Sequence, residues 1–396
     1  MKAVSGLDVH KDTIFACILQ RGKAPFVKEY STLTSGIKEL SNDLQAMGVN
    51  MVAMESTGIY WMPVWKLLEG HFKMILVNPY YIKQVPERKT DVKDAQWIAT
   101  LLQKGLLKES FVAEGMIAEL REYERGYVRL CSHESRLEQA IERQLIKCNI
   151  RITSFATKIG SATVMKIVKA ICEGETSANK LEGLVHGRIR NKHKEKIFQS
   201  LEGEIRSFDR LMLKQSYQQY LLIKEQQSEL IEQMNRICQE HFKKEMDVLC
   251  TVPGINTLSS MQIIAEIGIN MESFPTDKHL VSWAGLRPRN DESAGKIKSK
   301  KTTHGNKYLR RVLVQCAWAA SRTKGSWFQG KYQQLCVRKS EKKALIAITR
   351  KQLMICYHLL QTKQNYFAPV KVLTEKQKER KIKYLHKQLE ELLNLG

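Results

Sequence analysis

What this chain lacks narrows its class before any motif is read. It has no uninterrupted apolar run near the roughly 20 residues that a membrane-spanning helix needs. Its nine cysteines (Cys17, Cys131, Cys148, Cys172, Cys238, Cys250, Cys316, Cys336 and Cys356) are odd in number, widely scattered and never paired as C-x-x-C. That pattern suggests neither a zinc cluster nor a disulfide framework, and reads as reduced thiols placed mostly in cores. Between residues 113 and 250 proline is absent and glycine sparse, so the turns of a compact α/β domain are missing there. Acid is the scarcer charge, with 41 Asp and Glu against 64 Lys and Arg, a formal net charge of +23. A surplus that large favours a polyanionic partner, nucleic acid rather than a membrane surface. The opening MKAVSGLDVHKD puts Asp8 where a secretion signal would be apolar, so an intracellular, cytoplasmic protein is expected.

The 396 residues, 43% of them hydrophobic, are too many for one core and enough for several. Residues 1–112 alternate strands and helices. Ala3–Val9, Thr13–Leu19 and Pro25–Ser31 are short β-rich runs with little between them, which predicts an antiparallel meander. A helix from Ser35 to Met47, a strand from Met51 ending at Glu55, a helix over Tyr60–Phe72 and a strand over Met74–Val77 follow. Thr90–Leu107 carries a helical stripe of Val92, Ala95, Ile98, Ala99 and Leu102. The order is that of an α/β domain with a mixed sheet.

Residues 113–250 show apolar residues at three- and four-residue steps from Ile117 to Cys148 and again from Ile205 to Ile237. They predict two long helices, either a coiled-coil arm that dimerises or a bundle that packs on itself. The polar stretch Gly174–His193 is a candidate tip or hinge. In residues 251–370 a Val252-Pro253-Gly254-Ile255 turn leads to a helix capped by Thr257 and stopped by Gly268, like half of a helix-hairpin-helix. A basic loop and helices over Lys307–Ala320 and Lys342–Leu360 complete this region, in which Trp283, Tyr308 and Trp318 read as core. Residues 371–396 form a basic, amphipathic helical tail.

Four acids stand at element ends. Asp8 and Glu55 each end a buried strand, where a carboxylate costs free energy unless something compensates, and a divalent cation is one such compensation. Asp91 and Asp94 share one face at the start of a helix. Carboxylates so placed can hold one or two Mg²⁺ ions, which stabilise the attacking and leaving oxygens of a phosphodiester. The plainer readings are that Asp91 and Asp94 cap their helix, that Asp8 is a turn residue and that Glu55 complements a helix N-terminus. His10 and Lys11 either bind phosphate or pair with acids.

These motifs resemble a known family. Leu7-Asp8-Val9-His10-Lys11, Glu55-Ser56-Thr57-Gly58-Ile59-Tyr60-Trp61, Asn78-Pro79 and Lys89-Thr90-Asp91-Val92-Lys93-Asp94-Ala95 are similar to those of the bridge-RNA-guided insertion-sequence transposases, or DEDD transposases. So are Val252-Pro253-Gly254-Ile255, Trp283-Ala284-Gly285-Leu286-Arg287-Pro288, Ser293-Ala294-Gly295-Lys296 and His304-Gly305-Asn306-Lys307-Tyr308-Leu309-Arg310-Arg311. The resemblance implies an RNase H-like N-terminal domain of Holliday-junction-resolvase type, a long helical middle and a mostly helical C-terminal transposase domain. It implies Mg²⁺ at Asp8, Glu55, Asp91 and Asp94, and a serine nucleophile at Ser293. It also implies a structured guide RNA pairing with donor and target DNA, and prokaryotic, nucleoid-associated dimers assembling to a tetramer.

Ala294 stands where the family pattern has glycine, which restricts the loop's φ but leaves the hydroxyl in place. A serine can attack a phosphodiester and conserve its energy in a phosphoserine bond. No His-Asp partner is evident near Ser293, so its activation would come from the acidic domain. From Arg287 to Arg311 there are nine cations (Arg287, Arg289, Lys296, Lys298, Lys300, Lys301, Lys307, Arg310 and Arg311), a density that suits phosphate, or else a solvated loop. Hydrolysis alone, as by a metal nuclease or junction resolvase, is the competing expectation.

Overall fold

The computed structural model describes residues 3–56, 58–79, 91–156, 158–289, 291–293, 296–299 and 301–368, with six isolated positions from 379 to 390. For Asp91, Val92, 291–293 and 296–298 it describes the backbone alone. The chain separates into two compact units, Met1–Val112 and Ala113–Gly396.

The first unit is a five-stranded sheet in the order β3-β2-β1-β4-β5. Its strands are β1 (Ala3–Val9), β2 (Thr13–Leu19), β3 (Phe26–Ser31), β4 (Val49–Glu55) and β5 (Lys73–Val77). Short connections make β1, β2 and β3 antiparallel. Crossovers through α1 (Thr34–Ala46) and α2 (Trp61–Leu68) make β1, β4 and β5 parallel. Strand alternation sorts the apolar residues to two faces. Leu7, Ile14, Val52 and Met54 pack with Ile37, Leu40 and Leu44 of α1 and with Val64 and Leu68 of α2. Val4, Ala53, Ile75 and Val77 pack with Ile98 and Leu102 of α3 (Asp91–Gln103). β1, covered on both sides, is accordingly apolar almost throughout. The helix expected to reach Phe72 stops at Leu68, because Gly70 turns the backbone at φ +87°.

Gly6 is the point of closest approach between sheet and helix. A Cβ built there would overlap the carbonyl oxygen of Ala95 and the amide nitrogen of Ala99, both backbone atoms of α3. Only a residue without a side chain lets the helix lie this near the strand.

The second unit is mostly helical. α4 (Gly115–Lys147) and α8 (Ser207–His241) pack along their length. Gly126 lies beneath Leu230, Glu134 accepts from Gln227 at 2.7 Å, and Gln144 donates to Asp209 at 2.9 Å. The partners run in opposite order, so the two helices are antiparallel and pack on each other within the chain. The region expected to be a polar tip is instead folded. α5 (Ala162–Cys172), α6 (Ala178–Gly183) and α7 (Gly187–Leu201) bury Val164, Ile167, Leu181, Ile197 and Leu201 against the far ends of the long helices. Apolar residues spaced for burial outweigh the polar composition between them.

At the near end stand α9 (Lys243–Cys250), α10 (Thr257–Ile267), α11 (Asp277–Trp283), α12 (Lys307–Arg322), α13 (Trp327–Cys336) and α14 (Glu341–Thr362). The cap of α10 is Asn256, whose side chain accepts from Ser259 N, and not Thr257. Gly254 (φ +86°) fits against Cys316 and Ala320 of α12, so its lack of a side chain serves helix packing. Trp283 packs on Phe274, whereas Trp318 is 39% exposed and not core as expected. All nine cysteines are free, and burial pushes Cys17 up to about 11. No helix among the described residues is long and apolar enough to cross a membrane.

The contact at Gly6 is directly testable. Gly6→Ala is expected to cost about 1–3 kcal/mol as overpacking, because backbone atoms rather than a flexible side-chain end must move. Gly183→Ala, where a Cβ meets nothing within 4 Å, is the neutral control. Thermal melting of the full chain compares the two, and equal melting would refute the close approach.

Candidate active site

Register places the acids. β1 and β4 pair in parallel up to Leu7 opposite Met54, and the next residues are Asp8 and Glu55. They therefore end neighbouring strands at one edge of the sheet. Asp8 shares its face with Gly6 and Glu55 with Ala53, which is the face that α3 covers. Gly6 touches Ala95 and Ala99, while Val4, further back along β1, clusters with Ile98 and Leu102. The helix thus runs back along the strand, and its first turn comes to the edge that carries Asp8 and Glu55. Asp91 opens α3 one turn before the buried Ala95, and Asp94 lies one turn before the buried Ile98.

The Asp8 carboxylate is largely buried at 14% exposure, and His10 Nε2 stands 3.2 Å from its Oδ2. His10 thus pairs with an acid, the alternative that sequence left open. The donor set is all oxygen, which fits a hard divalent cation. Among the described residues no three Asp, Glu, His or Cys side chains close into a ready ligand group. The Asp91 side chain lies outside the description.

Ser293 lies on a different structure, and the basic segment around it is not a loop. The described residues between 287 and 303 pair as a two-stranded ribbon. Thr303 N donates to Arg287 O at 3.0 Å and Arg289 N to Lys301 O at 2.9 Å. Further out, β6 (Asp291–Ser293) pairs with β7 (Lys296–Ser299), Glu292 opposite Ile297 and Ser293 opposite Lys296. Ser293 is therefore the last paired residue before a two-residue connection. Ala294, Gly295 and Lys300 lie outside the described residues. Arg287, Arg289 and Lys301 are exposed along the ribbon, while Lys307, Arg310 and Arg311 fall in the first turns of α12.

Two glycines join the ends of the ribbon. Gly285 (φ +70°) would bring a Cβ to 2.8 Å from Gly305 N, and a Cβ on Gly305 would overlap Gly285 N. Next to this clamp lies a buried polar network. Glu266 of α10 is fully buried. It accepts from Arg125 Nε at 3.0 Å and Nη2 at 3.2 Å, and from Asn306 Nδ2. Asn306 in turn caps α12, its Oδ1 accepting from Tyr308 N and Leu309 N at 3.0 Å each. Arg121, one turn before Arg125 on α4, donates at 2.9 Å to the carbonyls of both Ala265 and Glu266. A buried carboxylate with two charged and one neutral donor is satisfied, and it ties α4, α10 and the ribbon's foot together. Sequence reasoning missed Arg125 and Glu266. The legible signal was an acid inside Ile263-Ile264-Ala265-Glu266-Ile267, which demands a partner.

Burial and the neighbouring Glu266 charge push Glu124, also in this network, up to about 8 from an ordinary 4.5. A carboxyl raised in the folded chain gives stability that is fully present below 4.5 and is lost as pH rises towards 8. Glu124→Gln keeps the shape and cannot ionise. It is expected to flatten the fall in denaturant midpoint between pH 5 and 8 by up to about 1.4 kcal/mol per pH unit. An unchanged slope would contradict the assignment.

With this geometry in place, comparison with known proteins is informative. Residues 246–333, which contain Ser293, match the model of the transposase IS116/IS110/IS902 family. Residues 5–150, which contain all four acids, match a transposase model of the IS110 DEDD type. The pilin gene-inverting protein of Moraxella bovis is 24% identical over 376 residues, covering 91% of this chain and 96% of its own length. That of Moraxella lacunata gives the same figures. An insertion element IS110 protein of Streptomyces coelicolor is 26% identical over 139 residues, 35% of this chain and 34% of its own. Two models of one family, matched in order and together spanning more than half of the residues, place this chain among the IS110-family transposases.

Proposed function

We propose that this transposase is an RNA-guided DNA recombinase that cuts and rejoins strands through a phosphoserine intermediate on Ser293. The observation that carries the reading is the acidic edge. Asp8 and Glu55 end adjacent parallel strands, and the first turn of α3, with Asp91 and Asp94, comes to the same edge. This is an arrangement of RNase H-like type. Mg²⁺ held by these four acids would neutralise charge on the phosphodiester and lower the barrier to displacement. His10 Nε2 stands 3.2 Å from the Asp8 carboxylate.

In the reaction, Ser293 Oγ bonds to phosphorus while the phosphorus–oxygen bond to the departing strand breaks. The departing oxygen takes a proton and leaves as a hydroxyl. Rejoining reverses these steps, when the hydroxyl of a new strand attacks the phosphoserine and frees Ser293. One bond to phosphorus replaces another, so no external energy source is required. The ribbon carries Ser293 with Arg287, Arg289, Lys296, Lys298 and Lys301 along it, and with Lys307, Arg310 and Arg311 at its foot, to hold the flanking phosphates, and Lys300 adds a further cation to the same segment of sequence. Acids and serine belong to separate units, which suits a homo-oligomer of dimers forming a tetramer, where one copy's acids meet another's serine. The long antiparallel helices would be the spacers of such an assembly. A structured bridge RNA would supply recognition of donor and target DNA, consistent with the net charge of +23. Two relatives are named for inverting a pilin gene, a rearrangement rather than a degradation of DNA, and this supports strand exchange.

Denaturing electrophoresis of labelled DNA tests the serine. The wild type is expected to give a covalent protein–DNA adduct, and Ser293→Ala to abolish it and to lower strand joining more than about a thousandfold. Cleavage without any adduct in the wild type would favour hydrolysis by a nuclease or resolvase. Asp8→Ala is expected to abolish cleavage under either chemistry, and cleavage that survives it would remove the metal-site assignment. Copurification of one discrete RNA checks the guide.

A further inference from the structure

Beyond the ribbon, positions 294–340 hold twelve Lys and Arg and no Asp or Glu. α12 lies in the middle of this acid-free stretch. Its buried face (Leu309, Val312, Leu313, Cys316, Ala317 and Ala320) packs into the second unit. Its opposite face presents Lys307, Arg311, Gln315, Trp318 and Arg322, all exposed and spaced at steps of three and four, with the exposed Lys324 just beyond the helix. A large aromatic ring in the middle of a basic stripe is unusual for a merely solvated surface. Trp318 is 39% exposed, and the Arg322 guanidinium lies over its ring at 3.6 Å. Exposed indole with stacked guanidinium, flanked by cations that track a backbone, is the surface chemistry that binds unpaired nucleic-acid bases.

We propose that this face of α12 is a capture track for an unpaired DNA strand, with Trp318 as the platform on which one base stacks. The track rests on the reading of the chain as a strand-exchanging transposase acting through Ser293, and it adds where the separated strand is held. DNA is the occupant because α12 starts at the foot of the ribbon that carries Ser293, so a strand held there continues onto the helix. Lys307 and Trp318 are eleven residues apart, about 17 Å along a helix. The stacked base is therefore expected a few nucleotides from the one over the ribbon's foot.

The test uses the full chain and a single-stranded DNA oligonucleotide carrying one photoreactive iododeoxyuridine moved along its length, with crosslinks mapped by mass spectrometry. Crosslinking is expected at Trp318 from one position and not from its neighbours. Trp318→Ala is expected to lower single-stranded DNA affinity roughly 5- to 150-fold, the range for one base stacked on an aromatic ring. Affinity for duplex DNA, the melting temperature and the oligomeric mass should be unchanged, and Trp318→Phe should retain most of the binding. Unchanged single-strand affinity in Trp318→Ala would overturn the track. Loss for RNA but not for DNA of the same sequence would also overturn it, as would a changed oligomeric mass, which would mark the face as a contact between copies. Adduct formation and strand capture are read in separate assays. A chain that captures the strand yet forms no adduct loses the serine reading and keeps the platform.

Discussion

The close approach of Gly6 to the backbone of α3 sets how the helix that carries Asp91 and Asp94 lies on the strand that carries Asp8. Because β1 has no side chain there, Ala95 and Ala99 lie directly on the strand, and the helix cannot slide or tilt without losing that contact. The contact is two residues before Asp8 and one residue after Asp94. It thereby sets the spacing between the acids of the strands and those of the helix. Parallel pairing of β1 with β4 then brings Glu55 beside Asp8. A hydrogen-bonded register and a backbone contact are stiff, so the placement of these acids is set by the backbone.

The second unit solves a comparable problem by burying charge. Glu266 is stable inside the protein only because Arg125 and Asn306 donate to it. Through Asn306 the same carboxylate fixes the start of α12, and through the Gly285–Gly305 clamp the two ends of the ribbon are joined. The foot of the ribbon is thus held on a rigid base. Paired strands with a short connection hold Ser293 more closely than an open loop of the same basic composition would. Burial and the neighbouring Glu266 charge push the Glu124 carboxyl up, which disfavours a second negative charge in this network.

The acidic edge and the basic ribbon belong to separate units. Each charge sign then sits on a framework of its own, the acids on a sheet and a helix and the cations on a ribbon and α12. The acid-free stretch from 294 to 340 carries the ribbon's positive charge on along α12.

Much of this was legible from residue order. The bounds of β1 and β2, the long helices of the second unit and the mixed α/β order follow from local periodicity, which depends on near neighbours in the chain. The surplus of positive charge and the free thiols follow from composition alone. Local patterns could not show that Asp8 adjoins Glu55, which depends on which strands pair and in what register. They could not show that Arg125 and Glu266, 141 residues apart, share two hydrogen bonds. They suggested a flexible basic loop where strands pair, because lysines and glycine mask a short ribbon whose hydrogen bonds come from the backbone. They placed Trp318 in a core, because tryptophan is usually buried, and only the packing of α12 decided that its face looks outward. Sequence determined what each segment is, because that depends on neighbours along the chain. Tertiary structure decided which distant groups meet, because that depends on closing long loops around shared cores.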